Sequence, residues 1–260
     1  MKVTTISHRV AMLPAVLLAA GSLFLCTQAT HAAAIYLETF PGNSSANAAM
    51  STIGWTAYKG ASATNITSTT GGSQYVAIAN LAGNPGPAIG FLAIVNSGSP
   101  QPAAESYATF QTGLSLANPT TISWNMNGNG PASPLRLLVQ VSGSWYATDS
   151  TFIPTSFTSG ANFTNAPAQD VYRSFNFTTD KSAWRSFTFS QGVGMSVGNT
   201  TISSDLASST ITGIGFYADL SSGSVLRVDQ LQVVPEPGSA ALLLGAGAMF
   251  VLLRVRRRTA

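Results

Sequence analysis

The chain of 260 residues is poor in charge, cysteine and histidine, and each shortage excludes a class of function. Charged residues make up only 8% of it. The single cysteine, Cys26, and the two histidines, His8 and His31, all lie near the N-terminus. The rest of the chain therefore offers no disulfide, no Ser-His-Asp or Cys-His nucleophile pair, and no zinc site built from thiolate and imidazole ligands.

The excess of positive charge is confined to the two ends of the chain. The formal net charge is +3, but two basic residues precede the first apolar run and four arginines follow the last one. Between Ile35 and Val234, six basic residues stand against eight acidic ones, which gives a net charge of −2. The middle of the chain therefore lacks the basic surface that nucleic acids need, and we expect no nucleic-acid partner.

The N-terminal segment has the three-part pattern of a secretory signal. The two basic residues precede an apolar stretch that ends at Leu25, and small residues follow up to Ala34. Strand-like sequence begins at Ile35. We therefore expect a signal peptide at residues 1–34. Cleavage after Ala32, Ala33 or Ala34 would satisfy the small-residue rule, and the start of strand-like sequence favours Ala34; an uncleaved anchor is the alternative.

The C-terminal segment predicts one short transmembrane helix. The run from Gly238 to Leu253 is uncharged and is followed at once by the four arginines. As a helix rising about 1.5 Å per residue it spans roughly 24 Å, a little less than the roughly 30 Å hydrocarbon core of a bilayer. The basic end is expected in the cytoplasm, which places the middle of the chain outside.

The residues before this helix resemble the PEP-CTERM sorting signal. Pro235, Glu236 and Pro237 form the box, and the apolar helix and the basic end follow in the order that this family shows. The two prolines also keep this strip extended and non-helical. The resemblance implies that the three residues are read by the membrane protease exosortase. It also implies that residues 235–260 are a sorting tail and that the export machinery is a second partner. On this resemblance the protein is anchored transiently in the inner membrane and then reaches the cell surface or the extracellular space. A plain membrane anchor is the alternative.

The middle of the chain, residues 35–234, is predicted to be all-β. It has no long helical period, but short β-rich runs separated by Gly, Pro, Asn and Ser clusters. Alternation places Ile122, Trp124 and Met126 on one face of their strand. We expect a single β-sandwich built from eleven strands: Ile35–Phe40, Tyr75–Ala79, Ile89–Val95, Tyr107–Gln111, Thr120–Met126, Leu135–Val141, Trp145–Thr148, Val171–Phe177, Trp184–Phe189, Ile211–Ala218 and Val225–Val233.

The two ends of this region resemble jelly-roll domains of the carbohydrate-binding-module type. The residues concerned are Glu38-Thr39-Phe40 with Gly54-Trp55 downstream, and the closing run from Leu226 to Val233. The resemblance implies that the first and last strands pair. It also implies that Glu38 and Asp229 bind a structural calcium ion.

The residues around this pair leave more than one way to compensate its charge. Two carboxylates 4 Å apart at an effective dielectric near 20 repel each other by about 4 kcal/mol. Calcium would relieve that repulsion, and so would Lys59 or Arg227. Apolar alternation changes phase after Asp229, which predicts a bulge whose carbonyls would complete a calcium site.

Two functions stay open for the exported region. One is a non-catalytic surface or matrix protein that contacts extracellular polysaccharide through aromatic rings, for which Trp55 and Tyr146 are our candidates. Trp145 and Tyr146 are adjacent, so we expect the tryptophan in the core and the tyrosine outside. The alternative is a jelly-roll glycoside hydrolase or lyase that uses two carboxylates. The eight acids include no two at alternate strand positions, and only pairing across strands would bring two of them together, so we expect no enzyme.

Overall fold

Antiparallel strands with alternating apolar residues make up most of the protein, as the computed structural model shows. The unit Ala33–Glu236 contains all of the described residues. Among them, no helix is long and apolar enough to cross a membrane. The predicted membrane helix at 238–253 lies outside the described residues, and so does the predicted signal peptide up to residue 32. The structure describes residues 33–42, 47–67, 74–80, 90–100, 102–129, 133–154 and 171–235.

All eleven predicted strands are present, and the described residues contain three more, which are Thr56–Lys59 (β2), Thr64–Asn65 (β3) and Gly194–Thr201 (β12). Strands β2 and β3 are short, and β12 is rich in Gly, Ser, Asn and Thr, so none has the long apolar alternation that marks a strand in sequence. The strands are β1 (Tyr36–Glu38), β2 (Thr56–Lys59), β3 (Thr64–Asn65), β4 (Gln74–Asn80), β5 (Gly90–Asn96), β6 (Glu105–Leu116), β7 (Pro119–Asn129), β8 (Leu135–Val141), β9 (Ser144–Thr148), β10 (Val171–Asn176), β11 (Trp184–Ser190), β12 (Gly194–Thr201), β13 (Ile211–Leu220) and β14 (Ser224–Pro235). Short 3₁₀ helices cover Met50–Ile53 and Lys181–Ala183.

The strands form two sheets, which confirms the predicted β-sandwich of jelly-roll type. The smaller sheet has the order β10-β7-β14-β5-β4, and β1 also pairs with β14. The larger sheet has the order β12-β11-β9-β8-β13-β6-β2-β3. In both sheets the neighbouring strands of the described chain are antiparallel.

The main core lies between the sheets and follows the predicted alternation. Ile122, Trp124 and Met126 of β7 are all buried there, as are the four alternating apolar residues of β8. The Trp124 ring meets Phe152 and Phe216 edge to face, with centroids 4.7 and 5.5 Å away. Burying a large apolar side chain contributes about 1.5–3 kcal/mol, so this core provides most of the stability.

The first and last strands pair, as predicted, and the last strand carries the predicted bulge. Tyr36 lies opposite Val233, and the register of β14 against β7 shifts between Asp229 and Gln232. Gln230, inside the bulge, has a left-handed φ of 53°. Strand β14 pairs with β5 before the bulge and with β1 after it.

Candidate functional site

The larger sheet buries apolar side chains on both of its faces. The face that points away from the smaller sheet carries a second cluster, which we call the enclosed face. It is enclosed because the turns at opposite edges of the sheet meet: the Gly192 backbone N–H donates to the Ala63 carbonyl at 3.3 Å. The fully buried members of the cluster are Tyr58, Ala63, Ala108, Phe110, Leu138, Ala147, Phe187, Met195 and Tyr217, and Trp145, Phe189 and Val197 are partly buried against them.

Two glycines of β13 make room for aromatic rings on this face. A Cβ atom at Gly215 would lie 2.4 Å from the Cβ of Phe110, and one at Gly213 would lie 2.9 Å from Cη2 of Trp145. Real Cβ atoms do not approach other atoms that closely, so only glycine fits at Gly215. The Phe110 and Trp145 rings therefore lie over β13, with their centroids 4.6 Å apart.

One end of the enclosed face opens into a polar pocket. Asp219 and Ser106 lie opposite each other on β13 and β6, and the Ser106 hydroxyl donates to Asp219 Oδ1 at 2.6 Å. The Tyr217 hydroxyl donates to the same oxygen at 2.7 Å. Glu105 contributes the second carboxylate. The pocket has a volume of about 260 Å³ and is lined by Ala61, Ala104, Glu105, Ser106, Asp219, Leu220 and Ser221.

Two partly buried side chains, Tyr217 and Arg136, lie beside the Asp219 end of the pocket. Burial raises the pKa of Tyr217 well above its usual range, so its hydroxyl keeps the proton that it donates to Asp219. Arg136 lies near Asp219, and burial lowers its pKa while Asp149 and Asp219 act in the opposite direction. Its guanidinium donates to the carbonyls of Thr148 and Asp149, each at 2.5 Å. The pocket therefore presents Asp219 Oδ1 as an oriented hydrogen-bond acceptor beside the hydroxyls of Ser106 and Tyr217.

The structure buries the aromatic candidate Trp55 and places the other candidate, Tyr146, half-buried on the main-core side of its strand. Trp55 is fully buried, with 0% of its surface exposed, and packs edge to face on Phe40. Tyr146 lies opposite Val139 of the main core and packs against that core, while Trp145 lies on the enclosed face. Adjacent residues of a strand must point to opposite faces of the sheet. The two residue types alone did not reveal which of them faces the main core.

The structure does not bring the two predicted calcium ligands together. Glu38 lies opposite Leu231, which is a main-core residue, and its Oε1 accepts the Phe40 backbone N–H at 2.8 Å. Burial raises the pKa of the Glu38 carboxyl above its usual range. Glu38 therefore belongs to the inner side of the terminal strand pair, where the Tyr36 hydroxyl donates to Gln111 Oε1 at 2.6 Å.

Asp229 lies on the opposite side of β14. Its Oδ2 is 3.8 Å from Arg227 Nη2, and the Arg227 guanidinium lies 4.3 Å from the centre of the Phe91 ring in a separate apolar cluster. Arg227 therefore neutralises Asp229, which is one of the alternatives to calcium. Among the described residues, no three or more His, Cys, Asp or Glu side chains are grouped so that they could hold a metal ion.

Of the predicted sorting residues, the structure describes Pro235 alone. It ends β14, and its carbonyl accepts the Thr120 hydroxyl at 3.1 Å. Glu236 and Pro237 lie outside the described residues.

Sequence reasoning missed the residues of the pocket. Glu105 and Asp219 are far apart in the chain and meet only because β6 pairs with β13. One signal was available: Gly213, Gly215, Tyr217 and Asp219 alternate along β13, which puts two small, one aromatic and one acidic residue on one face.

Comparison with known protein families finds no family model that matches this chain. Comparison with curated proteins likewise finds no match. Solved structures with a similar fold include a family 11 carbohydrate-binding module of a cellulosomal cellulase of Clostridium thermocellum, with 12% identity, a TM-score of 0.40, and 78% of this chain and 96% of that chain covered. Another is a carbohydrate-binding module solved with β-1,4-galactotriose, with 11% identity, a TM-score of 0.37, and 70% and 88% covered. A third is the K2 cleaved adhesin domain of Lys-gingipain, with 12% identity, a TM-score of 0.39, and 76% and 98% covered. At these identities and scores, the ligand of this chain has to be inferred from its own side chains.

Proposed function

We propose that the protein is an exported cell-surface or extracellular-matrix protein whose β-sandwich binds polysaccharide without cleaving it. The observation that carries the proposal is the polar pocket, where Glu105 and Asp219 lie beside the Ser106 hydroxyl at the end of the aromatic enclosed face. A sugar ring has an apolar face that stacks on aromatic rings and hydroxyls that bind carboxylates and side-chain hydroxyls. Tyr217 joins the two parts, since its ring packs in the cluster and its hydroxyl binds Asp219.

The size of the pocket indicates which part of a polysaccharide it would take. Its volume of about 260 Å³ is slightly below the roughly 300–1,000 Å³ of ordinary small-molecule sites. It therefore suits one sugar unit or a chain end rather than a long segment. Glu105 and the exposed Asp219 would accept hydrogen bonds from the hydroxyls of that unit.

One observation favours a second function, a glycoside hydrolase or lyase, because Glu105 and Asp219 line the same pocket. Such an enzyme needs one carboxyl group that delivers a proton. Asp219 Oδ1 already accepts two hydrogen bonds, from Ser106 and Tyr217, and Glu105 Oε1 accepts the Ser106 backbone N–H at 3.2 Å, so both carboxyl groups are held as acceptors. We therefore place binding first.

Binding can be tested with the unit Ala33–Glu236, which contains all of the described strands. We expect its migration to be retarded in gels that contain the host's extracellular polysaccharide. Asp219→Asn and Glu105→Gln should each weaken binding about tenfold, since a hydrogen bond to a charged group contributes about 1.5–3 kcal/mol. Asp205→Asn, at an acid outside the pocket, is the matched control.

Two results would count against this proposal. Equal retardation of the wild-type protein and Asp219→Asn would remove the pocket from the binding site. New reducing ends or unsaturated products from the polysaccharide, lost in Glu105→Gln, would establish the enzyme instead.

We also propose that exosortase removes the C-terminal tail after export. The Pro-Glu-Pro box, the apolar run and the terminal arginines support this, and β14 ends at Pro235, so the box begins where the sheet ends. Mass spectrometry of the protein from a host with an active exosortase should find a C-terminus near Pro235. Recovery of the full-length tail alone would contradict processing.

A further inference from the structure

The hairpin of β11 and β12 leaves the larger sheet halfway along its length. Strand β11 pairs with β9 only from Trp184 to Ser186. The register of β11 against β12 is irregular between Arg185 and Phe187, and beyond this point β11 pairs with β12 alone. The outer half of the hairpin, Phe187–Val197, is therefore a two-stranded ribbon, which we call the lid.

The lid covers the enclosed face with its own aromatic side chains. The Phe189 ring centroid is 4.5 Å from that of Tyr58 and 5.0 Å from that of Phe110. Phe187 lies 5.6 Å from Tyr217. Because of this cover, Tyr58, Phe110 and Tyr217 are no more than 7% exposed.

The base of the lid is fixed by polar contacts, whereas its outer half is held mainly by side-chain packing over the enclosed face. At the base, Arg185 Nε binds Asp149 Oδ1 at 2.6 Å and Nη1 binds the Asn199 carbonyl at 2.7 Å. At the tip, the only backbone hydrogen bond from the lid to the rest of the described sandwich joins Gly192 to Ala63, at a long 3.3 Å. A two-stranded ribbon is marginally stable by itself, so the lid depends on this packing and can open locally without breaking the ladders of the larger sheet.

We propose that this ribbon is a hinged lid that opens on an otherwise folded sandwich and so controls access of polysaccharide to the enclosed face. The inference rests on the proposed function and adds its regulation. With the lid closed, ligand reaches the polar pocket alone. With the lid lifted about the irregularity next to Arg185, the rings of Tyr58, Phe110 and Tyr217 become available to the apolar faces of successive sugar units, so longer chains bind more tightly.

A reversible cross-link tests the lid directly. Ser62 and Val193 lie in the two turns that meet, both are exposed, and neither lines the polar pocket. The unit Ala33–Glu236 contains no native cysteine, so the double variant Ser62→Cys with Val193→Cys can be joined specifically by a short cleavable linker. The same molecule after linker cleavage is the control.

Hydrogen–deuterium exchange gives the first measurement and does not depend on any ligand. In the uncross-linked protein, amides of the lid should exchange about tenfold faster than those of β13, and the cross-link should remove the difference. Phe189→Ala should accelerate lid exchange without accelerating β13. If the amides of the lid and of β13 exchanged at one common rate, the proposal that the lid opens separately would be refuted.

Ligand titration gives the second measurement, with the soluble hexasaccharide cellohexaose as probe and tryptophan fluorescence as signal. We expect the cross-linked form to bind about tenfold more weakly than the cleaved form, since stacking on several rings is lost. Equal affinity of the two forms would overturn control by the lid. If neither form bound any sugar while exchange still showed opening, the lid would stand and the proposed function would fail.

Discussion

Replacing Gly215 by alanine should strongly destabilise the sandwich. The added Cβ would lie 2.2 Å from the Thr109 carbonyl oxygen and 2.4 Å from the Phe110 Cβ. Ordinary contact distances there are well above 3 Å, so the two strands must separate by about 1 Å. The nearer obstacle is backbone of the β6–β13 ladder, which cannot rotate away as a flexible side chain would.

The expected size of the effect follows from known overpacking penalties. Overpacking costs about 1–3 kcal/mol and backbone collisions fall at the upper end, whereas alanine regains roughly 0.5–1 kcal/mol in a strand interior. A net loss of about 2–2.5 kcal/mol corresponds to a decrease in Tm of roughly 4–10 °C for a domain of this size. Thermal denaturation followed by far-ultraviolet circular dichroism would measure it.

Two further glycine variants calibrate the result. Gly213→Ala meets the Gln111 carbonyl and the end of the Trp145 ring at 2.9 Å each, so it should destabilise less and change the Trp145 fluorescence. Gly143 has a φ of +82° and open space around its Cβ, so Gly143→Ala should cost only the roughly 1–2 kcal/mol of a left-handed backbone. If Gly215→Ala were no worse than Gly143→Ala, the close packing of Phe110 over β13 would be refuted.

Three further measurements follow from the described contacts. Tyr36→Phe removes the hydrogen bond to Gln111 and should lower the free energy of unfolding by about 1 kcal/mol in urea titrations. Burial raises the pKa of the Glu38 carboxyl in the folded state above its usual value of about 4.5, so the folded protein binds this proton more tightly than the unfolded chain does. The contribution of Glu38 to the free energy of unfolding therefore falls as the pH rises from about 4.5 through the folded-state pKa. Glu38→Gln should flatten that part of the plot of stability against pH. Because Asp229 is paired with Arg227, a chelator should leave the Tm unchanged; a decrease that calcium reverses would restore the calcium hypothesis.

Sequence alternation predicted most of the fold because the buried faces are chemically uniform. Strands β7 and β8 carry apolar residues at every second position, and the core between the sheets requires them there. Strand β12 could not be recognised in the sequence, because its residues from Gly194 to Thr201 are mainly small or polar. It is also the edge strand of the larger sheet and pairs with β11 on one side. Its position depends on the hairpin with β11 rather than on its own pattern.

The candidate site was less predictable because it depends on which strands become neighbours. The phase change after Asp229 predicted the bulge correctly, but the same bulge leaves Asp229 on the side of Arg227, away from Glu38. In the same way, the larger sheet buries apolar side chains on both of its faces, so the presence of an aromatic residue in one of its strands does not indicate which of the two clusters that residue joins. Trp145 and Tyr146 joined one each.

The position of β14 determines how the domain would carry mechanical load. This strand is bonded on both sides, to β7 along one edge and to β5 and then β1 along the other. A pull on its C-terminal end acts along the strand, so the ladders on both sides are loaded in shear and many hydrogen bonds resist together. Ile35 lies just before β1, and its backbone N–H donates to the Val233 carbonyl near the end of β14. A force applied at Ile35 would instead separate β1 from β14 one hydrogen bond at a time. The C-terminal end is therefore the mechanically strong point at which to tether this sandwich.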